Sequence, residues 1–192
     1  VGPASAAAET QRVVHRIIHS PTPQGWGNQL QNEPGIVLSY EHKWRNMIEL
    51  SPFGLGVDFT PSVGGSVGNI YTHAAVSAML RIGYDLPSDY GPPVIRPNLP
   101  GSDFFIPSRT FGWYLFTGIE GRAVARNIFL DGNSFRDSPS VDKKIFVGGL
   151  QAGVAMTSHN TRLAYTHVFR TREFFGQSAG DQFGALTLSV RF

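Results

Sequence analysis

Cysteine is absent from the 192 residues. A disulfide scaffold and a thiolate metal centre are therefore excluded. No run of about 18 apolar residues occurs either, so no transmembrane helix is expected. Charge is scarce: 16% of residues are Asp, Glu, Lys or Arg, against about 25% in a soluble domain. The net charge of +2 is too small for the basic surface that nucleic acid requires, and no nucleic-acid partner is expected. Lysine is nearly missing: thirteen of the sixteen basic residues are arginine, leaving Lys43, Lys143 and Lys144. Arginine forks grip phosphates, but they equally line the polar interior of a barrel. The opening Val1-Gly2-Pro3-Ala4-Ser5 has no basic stretch before an apolar core, so it does not read as a secretion signal.

What is abundant is glycine (22 residues) and phenylalanine (14). Glycine with aromatics suits a β architecture of tight turns and close strands. No composition shift divides the chain, so 1–192 reads as one domain.

Residues 6–19 read as one short helix, with Val13, Val14, Ile17 and Ile18 at helical spacing and Gln11, His15 and His19 opposite. Pro21 and Pro23 end it, and 20–34 form a polar loop. From 35 onward the period is two. Strands are predicted over 36–50, 55–63, 70–84, 110–121, 144–156, 161–171 and 182–192. A glycine-rich hairpin is expected at 64–68, and a loop over 122–142 with a turn at Asp131-Gly132. Most of these strands reach ten residues or more. That exceeds the usual 5–6 or so of globular strands and meets the roughly 9–11 of a tilted membrane strand. Short turns near 51–53 and 157–160, set against long loops at 122–142 and 172–181, suit the sided loops of an outer-membrane barrel. The end of the chain alternates Leu186, Leu188, Val190 and Phe192, like the terminal strand of such barrels. Alternation predicts Leu80, Ile82, Leu188, Val190 and Phe192 facing lipid, with Arg81 and Arg191 inward.

Two motifs are weighed and set aside. Gly64-Gly65-Ser66-Val67-Gly68 has the G-x-S-x-G spacing, but a nucleophile elbow needs a helix after it and a strand follows here. Asp131, Asn133 and Asp137 lack the central glycine and distal glutamate of a calcium loop. His15 is the stronger candidate. Histidine titrates near neutral pH and can act as a general base, although an exposed histidine is more often merely solvated.

Around His15 the chain resembles a known family, the calcium-dependent lipid A 3′-O-deacylases of Gram-negative outer membranes. The resemblance runs through Val1-Gly2-Pro3, Gln11, Val14-His15-Arg16-Ile17-Ile18, Pro23-Gln24-Gly25-Trp26, Asn28-Gln29-Leu30 and Asn32-Glu33-Pro34-Gly35. It continues at Gly68-Asn69, Arg81, Gly83, Ile95-Arg96-Pro97, Phe129-Leu130-Asp131-Gly132-Asn133 and Arg170-Thr171-Arg172-Glu173-Phe174. It implies an all-β fold: an antiparallel outer-membrane β-barrel of twelve strands, of which this chain supplies the C-terminal part, with one short helix near its start. His15 matches the family's general base, which activates water against an acyl ester while calcium polarises the carbonyl. Arg12, Arg16, Gln29 and Glu33 are expected on the substrate side.

The family's calcium ligands match nothing here, so the resemblance implies that they precede Val1, along with the missing strands and the secretion signal. An acidic residue that follows the histidine in relatives is replaced by Pro21, and Glu33 is a candidate substitute. The expected partners are lipid A or lipopolysaccharide and outer-membrane lipid, with the protein monomeric. With seven strands countable, two open sheet edges are expected, and activity is not expected from these residues alone. The alternatives are a non-enzymatic barrel, as a pore or structural protein, and a soluble lipocalin-like binder. A pore should keep an open lumen, whereas 85–109 is long enough to fold inward as a plug.

Overall fold

The computed structural model describes residues 1–3, 7–17, 19, 29–45, 47–92 and 105–191. Helix α1 (Ala7–Ile17) comes first. The strands β1 (Val37–Lys43), β2 (Ile48–Leu50), β3 (Gly56–Gly68), β4 (Tyr71–Tyr84) and β5 (Ser108–Asn127) follow, then the one-turn helix α2 (Ile128–Asp131) and β6 (Phe146–His159), β7 (Thr161–Arg170) and β8 (Gln182–Val190). All pairings are antiparallel, in the order β1-β3-β4-β5-β6-β7-β8, with β2 also against β3. Among the described residues β1 and β8 pair with no further strand on their outer sides, so the barrel wall is not closed. Ile18, Phe192 and the stretch 93–104 lie outside the described residues.

The long strand expected over 36–50 is one strand with a break. β1 stops at Lys43 opposite Ser62, and β2 resumes at Ile48 opposite Phe59. Four residues there face two, and one of the two is Pro61, which has no N–H to donate. Three further expectations are corrected. The glycine run 64–68 is no hairpin but the last part of β3, paired with both β1 and β4. Gly64, Gly65 and Gly68 sit so close to neighbouring carbonyls that a Cβ would fall within 2.7 Å of an oxygen, so the glycines let strands approach and do not turn the chain. The predicted loop from 122 begins six residues late, because β5 continues to Asn127. The turn at Asp131-Gly132 is the end of α2, capped by Gly132 at φ 81°, where glycine is favoured.

The antiparallel order defines two ends. One, here the mouth, carries residues 29–36, the β3–β4 turn at Asn69–Ile70, and the β5–β6 and β7–β8 loops. The other, the base, carries the 44–47 and 51–55 links, the β4–β5 connection, the His159–Asn160 turn and the end of β8. Loop lengths are therefore less sided than expected. The mouth has one tight turn, and the base has one long connection.

Alternation sets the two faces. On β4, Leu80 and Ile82 are exposed while Arg81 is 1% exposed. On β8, Leu188 and Val190 are exposed while Ser189 is buried. Arg191 shares the Ser189 face and reaches the Phe105 carbonyl at 3.5 Å. The outer face is a continuous band of Val76, Leu115, Ile119, Leu150, Leu163 and their neighbours. Such an area exposed to water would be a liability; against hydrocarbon it is the ordinary wall of a membrane barrel. No described helix is long and apolar enough to cross a membrane.

The inner face is closed at the base by the start of the β4–β5 connection. Asp89, fully buried, accepts from Arg81 Nη1 at 2.6 Å and lies 3.4 Å from Arg162 Nη1. Arg81 also forks onto Asp58, with Nε to Oδ1 at 3.0 Å and Nη2 to Oδ2 at 2.5 Å. Two arginines thus face two carboxylates. Arg81 further donates to the carbonyls of Pro87 and Asp89, and Arg162 to that of Gly91. The connection is plugged into the lumen by charge. Asp89→Ala would leave both guanidiniums short of a partner. Removing one member of a buried pair costs about 3–5 kcal/mol, so the urea midpoint of the vesicle-embedded protein should fall sharply. Asp137→Asn, at an exposed loop position, should leave that midpoint in place.

Candidate functional site

Helix α1 has favourable ends. Glu9 stands in its first turn, and His15 and Arg16 in its last, each suited to the helix dipole. Arg12 lies 3.7 Å from Glu9. Gln11 Nε2 lies 3.5 Å from His15 Nε2 one turn on, the outer limit of a hydrogen bond. Val13, Val14 and Ile17 have the spacing of a packed face, but they are 43%, 45% and 69% exposed, and no α1 residue is buried.

What holds it is the chain on either side. The Val1 N–H donates to the Glu33 carbonyl at 3.0 Å, and Glu33 N–H donates back to the Val1 carbonyl at 3.4 Å. The excursion carrying α1 thus leaves and returns through one backbone pair. Val1 and Leu30 pack on a small core of Ile70, Tyr71, Val124, Ile128 and Val147 at the mouth. Helix α1, with Arg12, His15 and Arg16, lies in sequence between these two feet, and Gln29 stands at the second of them.

Glu33 is 7% exposed. Its Oε1 accepts from Asn69 Nδ2 at 2.9 Å. Its Oε2 accepts from Asn133 Nδ2 at 3.0 Å and from Ser134 N–H at 2.8 Å. Burial alone would raise its pKa, but the donors from Asn133, Ser134 and Asn69 outweigh it and hold the carboxyl at about 2. A carboxylate ringed by N–H groups presents their positive ends to anything approaching, which is a poor cation site. Glu33 is thus a structural clasp and does not fit the role of a replacement calcium ligand. No group of three or more His, Asp or Glu able to hold a metal occurs among the described residues. Pro21 lies outside the described residues.

Around the clasp, Asn69 also joins Pro34 and Ile36, donating to the Pro34 carbonyl and accepting from Ile36 N–H, each at 2.8 Å. Asn133 exchanges two hydrogen bonds with the Gln31 backbone, at 2.8 and 3.0 Å. Arg126 ties the two loops together, donating from Nε to the Asn69 carbonyl and from Nη2 to the Gly132 carbonyl and Ser134 Oγ, all at 2.9 Å. Reasoning from sequence missed Asn69, Asn133 and Arg126 as a unit, because the contacts to Glu33 span 36 and 100 positions.

The G-x-S-x-G serine does not sit on an elbow. Ser66 faces the lumen in mid-strand, 2.7 Å from His73 Nδ1 and donating to the Tyr71 carbonyl at 3.0 Å. Nearby, Arg122 lies 3.3 Å from both Glu120 and Glu173 and donates to the Tyr71 hydroxyl at 3.1 Å. These are pairings of lumen polar groups along the wall.

The Glu33 carboxyl supplies a direct check. Its folded pKa lies below the ordinary 4.5, so its contribution to stability is complete above about pH 4.5 and is lost as pH falls through about 2. An NMR titration of that carboxyl should show a midpoint near 2; a midpoint near 4.5 would mean that the clasp is open in solution.

Comparison with known proteins follows the same pattern. The family model described as outer membrane protein LpxR matches residues 1–192. Among solved structures, LpxR from Salmonella typhimurium superposes with a TM-score of 0.76 at 20% identity. The match covers all of this chain and 64% of the other. No curated protein matches.

Proposed function

The chain belongs to the LpxR family of outer-membrane proteins, and from that premise we propose that the protein is a lipid A deacylase with His15 as its general base. The family match and an apolar-walled sheet place it in the outer membrane as a β-barrel protein. Because the chain spans 64% of the solved relative's length, activity, substrate and partners are proposals. The observation that supports them is that the segment carrying His15 is anchored at both ends to the mouth.

The mouth bears the excursion and two long loops, and long loops face outward in such barrels. His15 then stands at the level of the outer leaflet, where acyl esters of lipid A lie. In the proposed reaction the imidazole takes a proton from water as the water oxygen bonds to the acyl carbonyl carbon. The ester carbon–oxygen bond then breaks, and the proton passes to the departing sugar oxygen. The products are a free fatty acid and lipid A short of one chain. Arg12 and Arg16 would meet a lipid A phosphate through their forks, with Gln29 at the foot of the same segment.

A pore is disfavoured by a specific feature: the start of the β4–β5 connection is held on the inner face at the base through Asp89.

Replacing His15 by Ala or Gln should reduce acyl release by about 10²–10⁴-fold, the usual loss with a general base. Gln keeps the polarity but cannot take the proton. Release of free fatty acid from lipopolysaccharide vesicles, measured beside the folded-band shift on gels, checks this. A folded His15→Gln protein with full activity would remove His15 from the mechanism.

A further inference from the structure

The three resemblance segments around Glu33, Asn69 and Asn133 are far apart in sequence and meet at one carboxylate. Helix α1 buries no residue, and the excursion that carries it stands on two feet. One foot is Val1–Pro3 and the other 29–33, paired through Val1 and Glu33. Gly2, at φ 89°, lies so close to 31–32 that a Cβ there would stand 2.7 Å from Asn32 N. Both feet therefore form one unit, and that unit is joined to the wall by the Glu33 side chain on one side and by Asn133 reading Gln31 on the other.

We infer that Glu33, Asn69 and Asn133 are positioning residues, a clasp that fixes the α1 excursion over the mouth and thereby sets where His15 stands. Its catalytic consequence rests on the reading of His15 given above; its structural content does not. Glu33→Gln turns one acceptor oxygen into an NH₂ group, which faces either the Asn69 amide or the Asn133 and Ser134 donors. The clasp then meets donor with donor.

The cysteine-free chain allows a clean test. Ala7→Cys on α1 and Val76→Cys on the outer face of β4, both exposed, carry spin labels in the vesicle-embedded protein. Pulsed dipolar spectroscopy then reads the distance between helix and wall. The parent should give a narrow distribution, and Glu33→Gln a broad one. Without labels, Glu33→Gln should lower kcat for acyl release by about 10–100-fold, as misplacement of a catalytic group does. A clasp that merely stabilised the fold would lower the folded fraction without widening the distances among folded molecules. An unchanged narrow distribution in folded Glu33→Gln would overturn the inference. Widening in a protein that releases no acyl chain would support the clasp while removing the deacylase reading.

Discussion

Hydrocarbon offers no hydrogen bonds, so a membrane wall must satisfy its backbone within the sheet and turn its polar side chains inward. This constraint orders the molecule. The long strands turn apolar side chains outward, and the polar side chains that share the inner face with small and aromatic ones must then find partners there. At the base they do so by neutralisation, with Arg81 and Arg162 against Asp58 and Asp89. Because Asp89 belongs to a connection and not to a strand, the same charge pairing that satisfies the lumen draws the connection in and closes it. Near the mouth Ser66 lies against His73, and next to them Arg122 lies between Glu120 and Glu173.

That strict period made much of the wall legible in the sequence. The inward Arg81 and the outward Leu80 and Ile82 could be read directly, because a period of two admits one answer once one face is apolar. Irregularities were less legible. The break between β1 and β2 depends on Pro61 in the facing strand, which a scan along 36–50 cannot see. The glycines at 64, 65 and 68 read locally as a turn, yet their smallness serves close contact with β1 and β4. The stripe of Val13, Val14 and Ile17 has the spacing of a packed face, but spacing does not say what lies opposite.

The mouth shows the same limit more sharply. The resemblance singled out His15, Glu33, Asn69 and Asn133 in separate segments, but only the folded chain joins the last three. It also reassigns Glu33. As an isolated acid it could pass for a metal ligand, whereas its three N–H donors make it the anchor of an excursion. The division of labour is then physical. The wall supplies a fixed rim, the clasp ties the ends of the excursion to it, and in the proposed reaction the helix presents His15 to an acyl ester in the outer leaflet.

The central claim is that this arrangement hydrolyses lipid A and does not conduct. The most direct measurement is mass spectrometry of lipid A recovered from lipopolysaccharide vesicles after incubation with the protein, with ion conductance recorded on the same vesicles. The account predicts lipid A lighter by one acyl chain, matching free fatty acid, and no steady conductance. Intact lipid A together with an open-channel current would contradict it.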